Sequence, residues 1–448
     1  MTLPVRVRFA PSPTGHLHIG GMRSAIFNWL FARHHGGSFL LRIEDTDLER
    51  SRSEYTDAIL EAFRWAGIES DEPLVIQTQR SAIYAQVLAK LLESGAAYRS
   101  DPAQEENGKS VIRFRVPRDR TEISFDDLVY GKITFPIDQI DDFVIARADD
   151  SPLYNFVVVV DDIAMKISHI IRADEHIPNT PRQLLLYEAL GATPPQFAHV
   201  SLILGADGKP LSKRDASTGV LEYRTDGFLP DALCNYLVRL GWSHGDQEIF
   251  SRQELIQAFS LKDINKSGAM FDMEKLRWVN GVYLRAADAR ELLKTIKTFI
   301  DQNFSDYCRD WSEDQLLAGI TLYRERVATL KELVAVLKNL YDAPRYEALP
   351  ESFTWNEKTV QALNDMAVLL GDNRQAWDAP SIKKIFETFC KEASLPLPLV
   401  AKPVRFALTG LMESPSVYNL VELLGTDKTV NRLKAAAMFV ETMIRKGS

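Results

Sequence analysis

The sequence predicts an α/β fold with a parallel sheet, an insertion between the two parts of that sheet, and a helical second half. Three observations carry this prediction. A strand–helix–strand pattern fills the first 43 residues, similar patterns return only after residue 154, and helical periodicity runs from Asp231 almost to the C-terminus. The 448 residues exceed what one hydrophobic core absorbs. Several domains are therefore expected.

Each element has its own signal. Alternating residues 5–9 predict a strand, residues 19–33 have apolar side chains at helical spacing, Gly36-Gly37 ends that helix, and the apolar run 39–43 predicts a buried strand. A βαβ unit of this kind implies a parallel sheet. Further elements are predicted at 154–160, 165–171 and 197–204 (strands) and at 180–190 (helix). The inserted stretch, about 78–145, contains a predicted helix at 84–92 and a strand at 111–116.

Composition excludes several classes of protein. Hydrophobic residues are 46% and charged residues 25%, which excludes a wholly disordered chain, and a net charge of −8 leaves only local surfaces for nucleic acid. Cys234, Cys308 and Cys390 have no paired spacing, so a disulfide framework and a cysteine-built zinc site are excluded. No apolar run reaches membrane-spanning length, and the N-terminus lacks a signal-peptide core. We expect a cytoplasmic protein with no membrane partner.

The segment 11–21 lies between the first strand and its helix. A glycine-containing turn before a helix N-terminus presents free backbone N–H groups to an anion. Gly15, Gly20 and Gly21 would allow close approach of a phosphate or purine, and His16 and His18 add donors. The alternative is a simple turn with two surface histidines.

The segment 42–47 follows the second predicted strand, where ligands bind in open α/β sheets. Its three carboxylates beside Arg42 could hold an ammonium group or ribose hydroxyls. The alternative is a helix cap, since Asp47 precedes Leu-Glu-Arg.

Two further sets of residues suggest anion binding. The basic loop 208–214 suits a mobile clamp on polyphosphate, or it is only an exposed basic turn. Arg8 and Arg172, at strand ends, suggest with Tyr154 a pocket for a substrate that carries carboxylates. For each arginine the alternative is an ordinary salt bridge.

In this order, the segments resemble those of a bacterial glutamyl-tRNA synthetase, a class I aminoacyl-tRNA synthetase, over essentially the full chain. The stretch 9–21 is similar to the HIGH signature, with His18 as its histidine and Gly21 in place of the last one. Residues 210–214 resemble the KMSKS signature, with Pro210 in place of its first lysine. Further matches are 41–50, 160–162, 171–175, 179–182 and 232–242.

The resemblance implies an α/β Rossmann-type catalytic domain with an inserted α+β acceptor-binding domain, followed by an all-α C-terminal half. The implied domains are 1–77 and 154–230 (the two catalytic halves, the second with the KMSKS-like loop), 78–153 (the insertion), 231–305 (a stem-contact helical domain) and 306–448 (a helical anticodon-binding region).

The implied reaction is ATP-dependent ligation of L-glutamate to the 3′ end of tRNA-Glu through a glutamyl-adenylate. In this family the first step generally requires bound tRNA. The implied catalytic residues are His18, Lys213 and Arg214. The implied glutamate ligands are Arg8, Ser12, Glu44, Tyr154 and Arg172. The implied ATP contacts are Pro11, Thr14, Gly15, His16, His18, Gly20, Gly21, Glu175, Ser212 and Lys213. The implied contacts to the tRNA 3′ end are Asp45, Thr46 and Asp47.

The same resemblance implies Mg²⁺ that accompanies ATP, and a monomer. No zinc and no other protein-held metal is expected, because the loop 98–109 contains no cysteine where many relatives have a zinc-binding loop. Two questions stay open. One is whether tRNA-Gln is also charged. The other is whether Pro210 marks a non-catalytic tRNA-binding paralogue, or whether Lys209 supplies the charge that the usual lysine would carry. A glutamyl-queuosine synthetase is excluded by the long C-terminal half, and a glutaminyl-tRNA synthetase is disfavoured by the paired arginines and the helical, rather than β-rich, second half.

Contacts to tRNA in the second half are less defined. Basic residues near the C-terminus could lie on phosphates or form a solvated helix face: Lys428, Arg432, Lys434, Arg445 and Lys446. Tyr341, Trp355 and Trp377 could stack on anticodon bases or belong to the helical core.

Overall fold

The structure, a computed structural model, describes residues 4–105, 108–211, 219–304, 311–373 and 376–447. The chain divides into two compact units. Residues 1–224 and 230–279 form the first unit, and residues 225–229 and 280–448 form the second. The five-part division expected from the sequence stays a prediction.

The strands all lie in the first 270 residues of the described chain. They are β1 (Arg6–Phe9), β2 (Ser38–Ile43), β3 (Val75–Ile76), β4 (Ala97–Arg99), β5 (Ile112–Phe114), β6 (Glu122–Asp127), β7 (Gly131–Pro136), β8 (Phe143–Ala146), β9 (His169–Ala173), β10 (Gln196–Val200), β11 (Ile203–Leu204) and β12 (Ala269–Met270).

Helices alternate with the strands in the first part of the chain, and the described elements after β12 are all helical. The helices are α1 (Ile19–His34), α2 (Ser53–Ala66), α3 (Ser81–Glu93), α4 (Tyr154–Ala164), α5 (Thr180–Ala189), α6 (Val220–Thr225), α7 (Pro230–Arg239), α8 (Arg252–Ala258), α9 (Met273–Ala286), α10 (Ala289–Asn303), α11 (Glu313–Tyr323), α12 (Leu330–Tyr341), α13 (Glu357–Gly371), α14 (Ala379–Glu392), α15 (Leu397–Thr409) and α16 (Val417–Gly447). Gly425, with φ 75° and ψ 173°, breaks α16.

Parallel strands organise the first unit, as the βαβ pattern predicts. β1, β2 and β3 form one sheet with β1 parallel to β2 and β2 parallel to β3. β9 and β10 are parallel neighbours in a second sheet of order β7-β6-β10-β9. The backbone N–H of Ser168, just before β9, donates to Arg6 O in β1 over 2.9 Å. This contact places the two sheets edge to edge.

The segment predicted to be inserted contributes to two sheets. β4, β5 and β8 form a small antiparallel sheet of their own. β6, by contrast, lies parallel to β10, with Asp127 opposite Phe197, and β7 pairs antiparallel with β6. The C-terminal end of β6 therefore lies beside β10.

The strand predicted at 154–160 is wrong, because these residues begin α4. Phe156 to Asp162 are all buried, so this helix has no polar face. A short apolar run buried on every side has no helical periodicity to distinguish it from a strand, and the four valines favour a strand by propensity. The helices predicted at 19–33 and 180–190 are confirmed as α1 and α5.

The second unit is a helical bundle around one apolar core, which confirms the predicted helical second half. The stretch 231–305, predicted to be helical, also contains the short strand β12, which lies in the first unit and pairs there with β11. Tyr341, Trp355 and Trp377 belong to or pack against the core, and their polar atoms donate to the backbone oxygens of Gln315, Pro350 and Val421. These contacts agree with the core alternative, and base stacking stays a prediction.

Arg432 is also misassigned as a surface cation. It is 6% exposed and donates to the carbonyl oxygens of Leu408 and Asp342. The other four basic residues of that set are exposed: Lys428, Lys434, Arg445 and Lys446. Within the described ranges, no helix is both long and apolar enough to cross a membrane.

Candidate active site

A cleft of about 690 Å³ opens in the first unit where β1, β2 and β9 end. All the glutamate ligands expected from the sequence line it, as do all the described ATP contacts: Arg8, Pro11, Ser12, Thr14, Gly15, His16, His18, Gly20, Gly21, Glu44, Tyr154, Arg172 and Glu175. The structure thus brings together side chains that are up to 167 positions apart in the sequence.

The start of α1 forms one wall of the cleft. Met22 N donates to His18 O over 3.0 Å as the first hydrogen bond of the helix, so the N–H groups of Ile19 and Gly20 precede the intrahelical ladder. His18 Nδ1 accepts from Gly21 N over 3.2 Å. Since a backbone N–H can only donate, the imidazole proton must lie on Nε2. The start of α1 can therefore donate hydrogen bonds to an anion from its backbone N–H groups and from the imidazole of His18.

The surroundings keep His18 neutral. Partial desolvation by the cleft walls lowers the pKa of His18, and the Glu175 carboxylate opposes that shift. A Cβ on Gly20 would lie 3.0 Å from His18 Nδ1, so a larger residue at position 20 would require the imidazole to shift slightly.

Beneath the cleft lies a buried cluster of ion pairs. Arg42, fully buried in β2, donates to Asp162 over 2.7 Å and to Glu44 over 3.2 Å, and lies 3.8 Å from Asp161. Arg8 donates from Nε to Asp162 over 3.1 Å, and Arg80 donates to Asp161 over 2.6 Å. Three guanidinium groups thus face three carboxylates. Arg8 is paired within the protein, as the salt-bridge alternative expected.

Arg172 differs from these arginines. It is 7% exposed and forms no ion pair with any described residue. Its hydrogen-bond acceptors are all neutral: Gln183 Oε1 (2.9 Å), Thr180 Oγ1 (2.8 Å), His199 Nε2 (3.1 Å) and His176 O (3.4 Å). Burial lowers the pKa of Arg172, and the charges of Tyr154 and Asp162 oppose that shift only in part. A fixed positive charge at the edge of a cleft is a site for an anion.

Glu44 supplies the opposite charge. It is 8% exposed, and burial raises the pKa of its carboxyl group against the opposing influence of Arg42 and Arg8. Arg42 contacts only Oε1 of this carboxylate, so a cationic ligand group can approach Oε2. A cleft that holds both Glu44 and Arg172 suits a ligand that carries an ammonium group and a carboxylate.

Tyr154 and His176 form the wall beside Arg172. Tyr154 is 37% exposed, and its hydroxyl group lies 3.4 Å from His176 Nδ1. Burial, followed by the charge of Arg172, lowers the pKa of His176 to about 4. His176 is therefore neutral near pH 7, and the positive charge here belongs to arginine.

Ser212, Lys213 and Arg214 lie outside the described residues. The chain on either side is anchored at the cleft: Leu211 N donates to Ile203 O over 3.0 Å, and Val220 N donates to Leu17 O over 2.9 Å. Lys209 is 80% exposed at its side chain, and Asp207 lies 3.9 Å away. Lys209 is absent from the residues that line the cleft, whereas Pro210 and Leu211 are among them.

The three residues assigned to the tRNA 3′ end lie beyond the residues that line the cleft. Asp45 accepts from Thr78 N (2.9 Å) and Thr78 Oγ1 (2.6 Å), and Asp47 accepts from Arg50 Nε over 2.6 Å. Thr46, between them, is half-buried. The carboxylates of Asp45 and Asp47 thus hold the local backbone and side chains, and Glu44 alone of the acidic set reaches the cleft.

Sequence reasoning missed the residues that hold Arg172. Thr180 and Gln183 lie on the first turn of α5, His199 lies in β10, and Asp127 ends β6. A signal existed, because His199 is a titratable residue between the apolar residues Ala198 and Val200. Only the register of β6 on β10 shows that Asp127 is its partner. Across the described ranges, no three His, Cys, Asp or Glu side chains form a group that could hold a metal ion.

Comparisons with known proteins agree with this geometry. The model of the class I tRNA synthetase catalytic domain for E and Q matches residues 4–107 and 102–278, and that of an anticodon binding domain matches 286–437. A "Glutamate--tRNA ligase" of Thermodesulfovibrio yellowstonii is 43% identical, with 96% of this chain and 98% of the relative covered. One of Pelobacter propionicus is 41% identical over 98% and 99%. A crystal structure of a glutamate tRNA ligase from Elizabethkingia meningosepticum, in complex with its amino acid, superposes with a TM-score of 0.86 at 32% identity, covering 98% of this chain and 100% of that one.

Proposed function

Because the chain belongs to the glutamate–tRNA ligase family of class I tRNA synthetases, we propose that it joins L-glutamate to the 3′ end of tRNA-Glu through a glutamyl-adenylate formed from ATP. The observation that carries this proposal is the buried guanidinium group of Arg172, which has no ion-pair partner among the described residues and lines the same cleft as Glu44.

Glutamate is the ligand whose charges match the cleft. Glu44 Oε2 binds the α-ammonium group, Arg172 binds the side-chain carboxylate, and Arg8, Ser12 and Tyr154 complete the pocket. Glutamine would present a neutral amide to Arg172. The buried guanidinium would then lack a counter-charge, and sites with an unmatched buried charge discriminate strongly.

ATP binds along the start of α1. The N–H groups of Ile19 and Gly20 and the Nε2–H of His18 donate to phosphate oxygens. Lys213, in the KMSKS-like loop, stabilises the charge that develops on the departing pyrophosphate. Mg²⁺ bound with ATP would neutralise part of the charge on the phosphates. The remaining predicted ATP contacts hold the nucleoside and orient the α-phosphate.

Formation of the adenylate depends on the positions of the reacting groups rather than on proton transfer. The α-carboxylate of glutamate is ionised at pH 7 and attacks the α-phosphate directly, so the P–O bond to pyrophosphate breaks without a general base. The terminal adenosine 2′-hydroxyl of tRNA then attacks the carbonyl carbon of the adenylate, the bond from that carbon to the AMP oxygen breaks, and the hydroxyl proton is released to solvent. The protein holds the reacting groups in line and stabilises the charges.

The tRNA is bound by the second unit and by residues near the cleft. Residues 286–437, which match the anticodon-binding model, contact the anticodon, and exposed basic residues of α16 approach phosphates. Asp45, Thr46 and Asp47 contact the 3′ end. Charging assays decide whether tRNA-Gln is a second substrate.

The test is ATP–pyrophosphate exchange with glutamate or glutamine, with and without tRNA-Glu. The proposal predicts exchange with glutamate in the presence of tRNA-Glu and much weaker exchange with glutamine. Equal exchange with the two amino acids would remove the role of Arg172. Binding of tRNA-Glu without exchange under any condition would support the non-catalytic alternative.

A further inference from the structure

We propose that His199 is a positioning residue for the amino-acid pocket, and that Asp127 sets the imidazole tautomer that allows His199 to hold Arg172. This inference rests on the proposed function, in which Arg172 binds the side-chain carboxylate of glutamate. It adds two residues that do not line the cleft and cannot touch the substrate.

The three side chains form a buried row of hydrogen bonds. Arg172 donates from Nε to His199 Nε2 over 3.1 Å, and His199 Nδ1 lies 2.7 Å from Asp127 Oδ2. The exposed fractions of Arg172, His199 and Asp127 are 7%, 0% and 4%. No solvent reaches the middle of this row to replace a lost partner.

The donors and acceptors permit one tautomer. Arg172 Nε–H can only donate, so His199 Nε2 must accept and carry no hydrogen. The imidazole proton therefore lies on Nδ1 and points at Asp127, whose carboxylate can only accept. A proton on Nε2 of His199 would point at the Nε–H of Arg172, so that two donors would face each other without an acceptor.

Asp127 is held in place by the backbone. Its Oδ1 accepts from Val129 N and Tyr130 N, both over 2.9 Å, and its Oδ2 also accepts from His199 N over 3.1 Å. The carboxylate therefore cannot rotate away from the imidazole. An asparagine at position 127 would have to turn its NH₂ group toward either Nδ1–H of His199 or the two backbone N–H groups, and both arrangements oppose donors to donors.

The consequence is a guanidinium group fixed at its Nε end. At its terminal nitrogens Arg172 donates to the side chains of Thr180 and Gln183 and, over 3.4 Å, to the carbonyl oxygen of His176, while His199 is part of a strand and tied to Asp127. Without His199 the guanidinium group can tilt about its long side chain. A tilted group binds a carboxylate less well, because a carboxylate is best bound in a defined plane.

The experiment compares His199→Leu and His199→Gln with a matched control, Phe125→Leu. Phe125 packs 6.2 Å from the His199 ring but makes no hydrogen bond to the row. In exchange assays with tRNA-Glu present, His199→Leu should raise the KM for glutamate about tenfold, the effect of one hydrogen bond to a charged group, and leave the KM for ATP within about twofold. His199→Gln, which can place its amide oxygen where Nε2 lies, should recover most of the loss.

The tautomer has its own readout in the whole protein. With ¹⁵N-labelled histidine, the NMR signals absent from His199→Gln should belong to an imidazole with its hydrogen on Nδ1. Asp127→Asn should change those signals and raise the KM for glutamate in parallel. If Asp127→Asn does not fold, the wild-type spectrum still decides: a hydrogen on Nε2 would overturn the proposal.

Two other outcomes contradict the inference. Equal increases of the KM values for glutamate and ATP in His199→Leu, or an equal effect in Phe125→Leu, would show a merely structural role. The proposed function is tested separately by Arg172→Met. A normal KM for glutamate in that variant would refute the role of Arg172 itself. An increased KM in Arg172→Met but not in His199→Leu would refute only the positioning role.

Discussion

Replacing the two buried arginines by methionine should separate binding from stability. Arg172 is surrounded by neutral acceptors, whereas Arg42 neutralises part of a cluster of three carboxylates. Methionine keeps the apolar part of each side chain and removes the charge. We expect Arg172→Met to impair glutamate use with a modest loss of stability, and Arg42→Met to destabilise the fold.

The magnitudes follow from the contacts. A hydrogen bond to a charged partner contributes about 1.5–3 kcal/mol, so Arg172→Met should raise the KM for glutamate about 10- to 150-fold. Removing one partner of a buried ion pair costs about 3–5 kcal/mol, which is the expected loss for Arg42→Met. In Arg172→Met the lost hydrogen bonds are partly offset, because burial of an uncompensated charge is also removed. Its loss should be smaller by about 2 kcal/mol.

The assays are exchange kinetics with tRNA-Glu and urea unfolding of the same preparations. The reasoning is refuted if Arg172→Met keeps the wild-type KM for glutamate. It is also refuted if the two variants have equal urea midpoints, since the pairing of Arg42 and the lack of pairing of Arg172 would then have no energetic consequence. Arg33→Met is a control for loss of an exposed ion pair, because Arg33 pairs with Asp71 at the surface.

Three further predictions concern the loop, the histidine beside Arg172 and metal content. Lys213→Ala should lower turnover at least about tenfold, or about 1.4 kcal/mol, in steady-state charging, and a smaller loss would contradict the clamp. His176 has a pKa of about 4 when folded, against an ordinary value of 6.5 for histidine, so the unfolded chain takes up a proton first as the pH falls from 6.5 to about 4. Stability should be full above pH 6.5 and fall through that range in urea titrations, and His176→Gln should flatten the curve; an unchanged curve would contradict the shift. Elemental analysis should find no zinc, and one equivalent would overturn the expectation from the cysteine-free loop 98–109.

Much of the fold can be predicted from the sequence because its signals are local. Alternation at 5–9, the glycines after α1 and the apolar run of β2 predict the βαβ unit, and the structure confirms it. α4 could not be predicted, because a helix buried on all sides lacks a polar face. The burial of Arg432 could not be predicted either, because it lies in a basic stretch of sequence that is typical of an exposed helix face. In the structure its side chain points into the helical bundle.

The sequence predicts residues that the structure places along the cleft, but not which of their charges are paired within the protein. In the sequence Arg8 and Arg172 cannot be told apart, because each follows an apolar residue of a predicted strand. Only the structure shows that Asp162, 154 positions from Arg8, neutralises it and leaves Arg172 unpaired. The partnership of His199 with Asp127 depends on strand pairing across 72 positions, which no local pattern encodes.

We propose that Arg172, which has no ion-pair partner among the described residues, selects glutamate for ligation to tRNA. The most direct measurement is side-by-side charging of purified tRNA-Glu and tRNA-Gln with labelled glutamate and labelled glutamine. We expect glutamate on tRNA-Glu and no glutamine on either tRNA, and glutamate on tRNA-Gln as well would add a second tRNA substrate without changing the pocket. Glutamine charged as efficiently as glutamate, or no charged product at all, would contradict it.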